Sequence, residues 1–225
     1  MATAGVQRRH RPDYRIILYI GLIMMIGLII IYAIGPQRAE VLNSAYKTDF
    51  YTSSYFFLRQ LMSLAVAIVA ILAIMFTPIE LIKKHAGKIM LAGVVASLIL
   101  AFFGNFLTGV YGVENGLAEC KLGACRWISL GPLSSFQPAE LLKFGVLVFV
   151  AKYVAARIKQ GKLNDWKDSL WWILAIIAVS EFLVVVLQKD LGTGVALLAI
   201  VASMLVLGGI SPRNGAKILV GLTVV

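Results

Sequence analysis

Polar residues fall in clusters along this chain, and the stretches between them are apolar over long distances. Residues 16–34 run 19 positions without a charge. At about 1.5 Å per residue, a helix of that length crosses a hydrocarbon layer roughly 30 Å thick. Comparable runs follow at 56–76, 89–107, 139–156, 170–187 and 191–210, and 218–225 opens another. Several are apolar on all sides, the pattern of a helix packed among helices and lipid. A soluble bundle would need polar outer faces that these segments lack. The pattern therefore predicts an all-α fold, a polytopic transmembrane helix bundle with six full spans and the start of a seventh. Residues 1–15 read as a polar tail and 16–225 as one membrane domain.

Composition strengthens this reading. Hydrophobic residues make up 60% of the 225 positions and charged residues 14%, with a mean hydropathy of +0.89. A soluble domain is nearer half apolar and a quarter charged. The net charge is +10, and its distribution gives an orientation. With the N-terminus in the cytoplasm, the inner segments hold Arg8, Arg9, Arg11, Arg15, Lys83, Lys84, Lys88, Lys152, Arg157, Lys159, Lys162, Lys167, Arg213 and Lys217. That is most of the basic residues, as the positive-inside bias requires. Contact with anionic lipid then accounts for the charge without nucleic acid. The first apolar run is too long for a signal-peptide core and reads as an uncleaved span.

Familiar soluble chemistries find no support. There is no Gly-rich phosphate loop, no HExxH pair and no cysteine-rich zinc pattern. Cys120 and Cys125 are the only cysteines, in the loop 108–130. They would close a small disulfide ring on an oxidising face or stay as free thiols. They supply half a zinc shell, and the only histidines, His10 and His85, fall on the opposite side. No metal site or other cofactor is evident, and nothing in the sequence supports a divalent cation.

Ionisable groups in or beside spans carry the remaining signal. Each costs roughly 2.5–3.5 kcal/mol at a helix centre on insertion scales, so it usually faces a cavity or a partner. Glu140, Lys143 and Glu181 qualify, with Asp190 at the end of a span. Glu140 and Lys143 are three apart and share a helix face; the bland alternative is a salt bridge that only joins helices. Pro138 suits a first helical turn. In QKDLGTG (188–194), Asp190 is placed to cap the following helix, and Gly192 and Gly194 would let another helix approach. Trp127, Trp166, Trp171 and Trp172 lie where interfacial anchors are expected.

Three passages taken together resemble the SEDS family (shape, elongation, division and sporulation), whose members include RodA and FtsW. GACRWISLG (123–131) is similar to the family's Gly-Ala-x-Arg-Trp-Ile segment. QPAELLKFG (137–145) resembles its Gln-Pro-Ser-Glu-x-x-Lys helix start, and QKDLGTG its Gln-Pro-Asp-Leu-Gly-Thr. Arg59 and Gln60 at the start of the second span fit as well. Ala139 stands where serine is usual, Lys189 where proline is usual, and Cys125 where a basic residue is common.

The resemblance implies a multi-pass protein of the bacterial cytoplasmic membrane, with a cytoplasmic N-terminus. It also implies a glycosyltransferase that polymerises the lipid-linked disaccharide-pentapeptide precursor of peptidoglycan on the outer face. The implied partner is a single-span class B penicillin-binding protein. On this reading Arg126 and Lys143 face the substrate pyrophosphate, and Glu140 orients Lys143. Gln137 bonds to sugar or loop backbone, and Asp190 completes the set. The family has about ten spans and carries its catalytic aspartate in an outer loop after the seventh. The 225 residues alone are therefore expected to insert in the membrane but to lack catalysis. Two rival readings stay open at the level of sequence: a flippase for lipid precursors, and a non-catalytic scaffold for a partner's membrane helix. The clustering of polar residues in one half of spans four to six favours chemistry on a single face over alternating access.

Overall fold

The computed structural model describes residues 13–108, 111, 117–121, 123–129 and 135–223. The chain divides into two compact units, Met1–Leu72 and Ala73–Val225.

The first unit is a helical pair. Helix α1 (Tyr14–Tyr46) is capped by Asp13, whose carboxylate accepts from the Arg15 N–H at 2.9 Å. Helix α2 is Tyr55–Phe76. α1 outruns its predicted apolar stretch, continuing through Pro36 to a left-handed cap at Lys47. The link to α2 is pinned to that extension. The Asn43 side chain donates to the Tyr51 carbonyl at 2.9 Å and accepts from the Tyr51 N–H at 3.1 Å. Phe50, Tyr51, Tyr55 and Phe56 stack around the pin. Most apolar side chains of both helices stay exposed, which only a lipid surround makes tolerable over such an area.

The second unit carries the packed core. Helix α3 (Ile79–Leu100) runs on into π-helical turns at Ala101–Thr108. Helix α4 is Pro138–Lys159 and α5 is Trp166–Leu187, with π-helical geometry at Trp166–Leu170 and Phe182–Leu187. Helices α6 (Leu191–Leu207) and α7 (Pro212–Thr223) follow. The buried positions recur every fourth residue, one stripe per helix: Leu142, Val146, Val150 and Val154 on α4, and Leu197, Val201 and Leu205 on α6. Ile173 and Ile177 of α5 join them.

α3 and α4 cross without side chains between them. A Cβ on Gly93 would lie 2.5 Å from the Leu142 Cα, and one on Gly145 would lie 2.6 Å from the Met90 Cα. The pairing of 93 with 142 and 90 with 145 makes the two helices antiparallel. This is the small-residue packing favoured where lipid cannot drive helices together.

Each predicted span overlaps a helix, though 191–210 overruns α6 by three residues and the last two residues of 218–225 lie outside the described residues. By length and apolarity alone, Tyr14–Tyr46, Tyr55–Phe76, Ile79–Gly104 and Trp166–Leu187 are competent to cross a membrane. α6 is shorter at 17 residues, and α4 carries Glu140, Lys143, Lys152, Arg157 and Lys159. The protein is thus a multi-pass helical membrane protein. Among the described residues, the departure from all-α content is a small antiparallel sheet between α3 and α4, with strands β1 (Ala118–Lys121), β2 (Ala124–Ser129) and β3 (Ser135–Phe136) in the order β1-β2-β3.

Candidate functional site

The site is assembled from three pieces: the hairpin β1–β2, the start of α4, and the turn joining α5 to α6. In the hairpin, Cys120 pairs with Cys125 across the strands, and their sulfurs are joined as a disulfide. Gly123 makes the turn with φ +74°, a region where glycine needs no compensation. Cys125 is buried against α3's π-helical end, where a Cβ on Gly104 would lie 2.5 Å from the Cys125 Cβ. Because side chains alternate along a strand, Arg126 points the other way.

Arg126 reaches the α5–α6 turn. Its Nε donates to the Gln188 carbonyl at 3.4 Å and its Nη2 to the Lys189 carbonyl at 2.5 Å. The turn answers: Lys189 Nζ donates to the Gly123 carbonyl at 2.8 Å. Lys189 itself holds a left-handed backbone, φ +52°.

Asp190 closes the turn as the N-cap of α6. It accepts from the Thr193 N–H at 3.1 Å and from the Thr193 hydroxyl at 2.9 Å. Gln137, just ahead of Pro138 at the first turn of α4, donates its amide at 2.9 Å to Asp190 Oδ2, the oxygen that also accepts the Thr193 hydroxyl. Burial pushes the Asp190 carboxyl upward. The two Thr193 bonds, the Arg126 charge and the Gln137 amide together outweigh it and hold the group below its ordinary pKa. One turn into α4, Lys143 donates to Glu140 at 2.8 Å, with the lysine side chain 23% exposed and the carboxylate 54%.

Of the five residues singled out from sequence, Gln137 and Asp190 bond directly, Arg126 bonds to the backbone just before Asp190, and Glu140 and Lys143 bond to each other further along α4. Their bonding differs in part from expectation. Arg126 and Gln137 spend donors on protein groups. Arg126 still has N–H groups beyond the two used here, and Gln137 keeps its side-chain carbonyl as an acceptor. Gly194 makes the close contact expected of it, with the Glu181 Oε2 at 2.6 Å from where its Cβ would be. Gly192 has only its own cap, Asp190 Oδ1, within 4 Å.

Sequence reasoning missed Gln188. Its side chain is fully buried and neither amide atom has a hydrogen-bond partner. Its position two residues before the capping aspartate was the available signal. Ser97 on α3 shares this state.

Comparison with known proteins places the chain. Residues 14–225 match the family described as cell cycle protein, comprising FtsW, RodA and SpoVE. It is 31% identical over 98% of its length to a probable peptidoglycan glycosyltransferase FtsW of Polynucleobacter necessarius, of which it covers 49%. It is 27% identical over 90% of its length to stage V sporulation protein E of Bacillus subtilis, again covering 49%. The chain thus spans about half the length of these relatives. Its fold is similar to one in a peptidoglycan synthase complex, with TM-score 0.61 and 20% identity over 94% of this chain and 51% of that one. It is also similar to the rod shape determining protein RodA of Thermus thermophilus, with TM-score 0.50 and 21% identity over 88% of this chain and 57% of the other. Sequence motifs, fold and family match agree: the chain belongs to the FtsW, RodA and SpoVE family of cell cycle proteins.

Proposed function

We propose that this chain forms the substrate-facing polar site of a membrane glycosyltransferase that polymerises lipid-linked disaccharide-pentapeptide into peptidoglycan strands. The observation that carries the proposal is Arg126's anchorage on the turn before Asp190, beside the Gln137–Asp190 bond that opens α4, the helix whose next turns carry Lys143. A pyrophosphate-bearing lipid is the natural ligand of these two cations, with the arginine a planar fork and the lysine a point charge. Glu140 holds the Lys143 ammonium in place through their 2.8 Å ion pair. Asp190 is occupied as a cap and brace, so it is a poor general base and its role is to hold α4 and α6 in register.

Orientation follows from the same reading. A cytoplasmic N-terminus puts the hairpin on the outer face, where a disulfide persists. The working partner is a class B penicillin-binding protein that crosslinks the strands, in keeping with the synthase complex whose fold this chain resembles.

The test uses the protein reconstituted in proteoliposomes, with precursor binding titrated. Lys143→Met is expected to insert normally yet lose precursor binding by tenfold or more, about 1.4 kcal/mol. Wild-type binding by Lys143→Met would reduce the Glu140–Lys143 pair to a structural salt bridge and remove the proposal's support.

A further inference from the structure

The hairpin and the α5–α6 turn are bonded in both directions. Arg126 of the hairpin donates to the carbonyls of Gln188 and Lys189, and Lys189 of the turn donates back to the carbonyl of Gly123. The acceptor Gly123 lies inside the ring that the Cys120–Cys125 disulfide closes, and Arg126 is the first residue outside it. Lys189 does this from a left-handed backbone conformation. L side chains rarely adopt it, and glycine would occupy it without strain. Proline, usual here in the resembling motif, cannot adopt it at all, because its ring fixes φ near −65°. The side chain that this conformation carries is put to use, since it bonds to Gly123.

We propose that Lys189 and the Cys120–Cys125 disulfide are positioning elements, which together latch the hairpin to the turn and fix the aim of Arg126's remaining donors toward an anionic, pyrophosphate-type ligand. The disulfide holds Gly123 where Lys189 can reach it. The lysine holds the turn where its own carbonyl and that of Gln188 can receive Arg126. Neither bond set survives alone in place, since each anchors the acceptor or donor of the other. The ligand part of this inference rests on the proposed function; the latch does not.

The test keeps the two apart. Hydrogen–deuterium exchange of the reconstituted protein reads the latch directly, at the amides of residues 124–129. Lys189→Met should speed exchange there by about five- to tenfold, the scale of losing one charge-assisted hydrogen bond. Lys189→Arg should restore slow exchange. Lys189→Gly relieves the backbone but removes the side chain, so it should exchange as fast as Lys189→Met. Joint replacement of Cys120 and Cys125 by serine should have the same effect, and adding Lys189→Met to it should change little further. Unchanged exchange in Lys189→Met, or wild-type exchange in Lys189→Gly, would overturn the latch. Precursor titration then tests the aim: the latch variants should raise the precursor Kd severalfold. Faster exchange with unaltered precursor affinity would keep the latch and overturn the ligand assignment to Arg126.

Discussion

The second unit is tied together at both ends, and the two ends are built differently. At the end opposite the hairpin, Asn164 joins the α4–α5 link to the α6–α7 link. Its amide donates to the Gly209 carbonyl at 3.3 Å, its side-chain oxygen accepts from the Ser211 N–H at 2.7 Å, and its main-chain carbonyl accepts from Asn214 at 2.9 Å. Ser169 adds a bond to the Lys162 carbonyl at 2.8 Å. These bonds are neutral and to backbone; the charged contacts at this end, Lys162 with Asp168 at 3.0 Å and Lys217 over the Trp166 ring, are to partners of their own. At the hairpin end the ties are charged, and the cations have more N–H groups than they use. A neutral tie fixes loops and does nothing else. A charged tie with donors to spare fixes loops and also presents a field to an anion. The contrast separates an end whose links are joined by neutral side chains from one whose links are joined by cations with donors to spare, the end on which the proposed function rests.

Breaking Arg126 should give the largest effect. Arg126→Met removes both turn bonds and a cation, and precursor affinity should fall by roughly a hundredfold, or about 2.7 kcal/mol, in the proteoliposome titration. Asn164→Ala is the matching break at the other end. It should lower unfolding stability by about 1–2 kcal/mol in detergent denaturation, while precursor affinity stays at the wild-type value. Loss of affinity in Asn164→Ala would erase the division between the two ends.

A pH titration sharpens the comparison. The folded-state pKa of Asp190 lies below its ordinary value, so its contribution is present above the unfolded pKa. It is lost as pH falls through the still lower folded value. The acid limb of stability should therefore flatten in Asp190→Asn, which keeps an N-cap but no titrating group. At neutral pH that variant should cost about 1 kcal/mol. The smallest effect belongs to Lys83→Met. Its ion pair with Glu80 spans 2.9 Å like the site pair, but its side chains are 52% and 79% exposed. Stability should shift by less than about 0.5 kcal/mol in the same denaturation experiment.

What could be read in advance divides along physical lines. Hydropathy located every helix, because lipid demands long apolar runs whatever the packing. It missed the extension of α1 from residue 35 to Tyr46, where polar residues such as Gln37, Arg38 and Glu40 follow Pro36. The helix survives there because Asn43 and the following loop support it. Capping chemistry was legible at Asp190 and Pro138, since each residue type does one thing well at a helix start. The hairpin was not: strands of four and six residues leave little periodicity to detect. Nor was the left-handed Lys189, because nothing local to a lysine announces that conformation. Gln188 was invisible for a related reason, as a glutamine between a span and a cap is expected at the surface and this one is buried.

The crossing of α3 and α4 has a consequence for traffic. Where Gly93 and Gly145 face Leu142 and Met90, backbone lies against backbone with no room even for a methyl group. A hydrocarbon tail is several times wider than that opening. The seam is therefore shut to lipid at this crossing, and on the proposed function a lipid-linked substrate would bring its tail to the site from some other side.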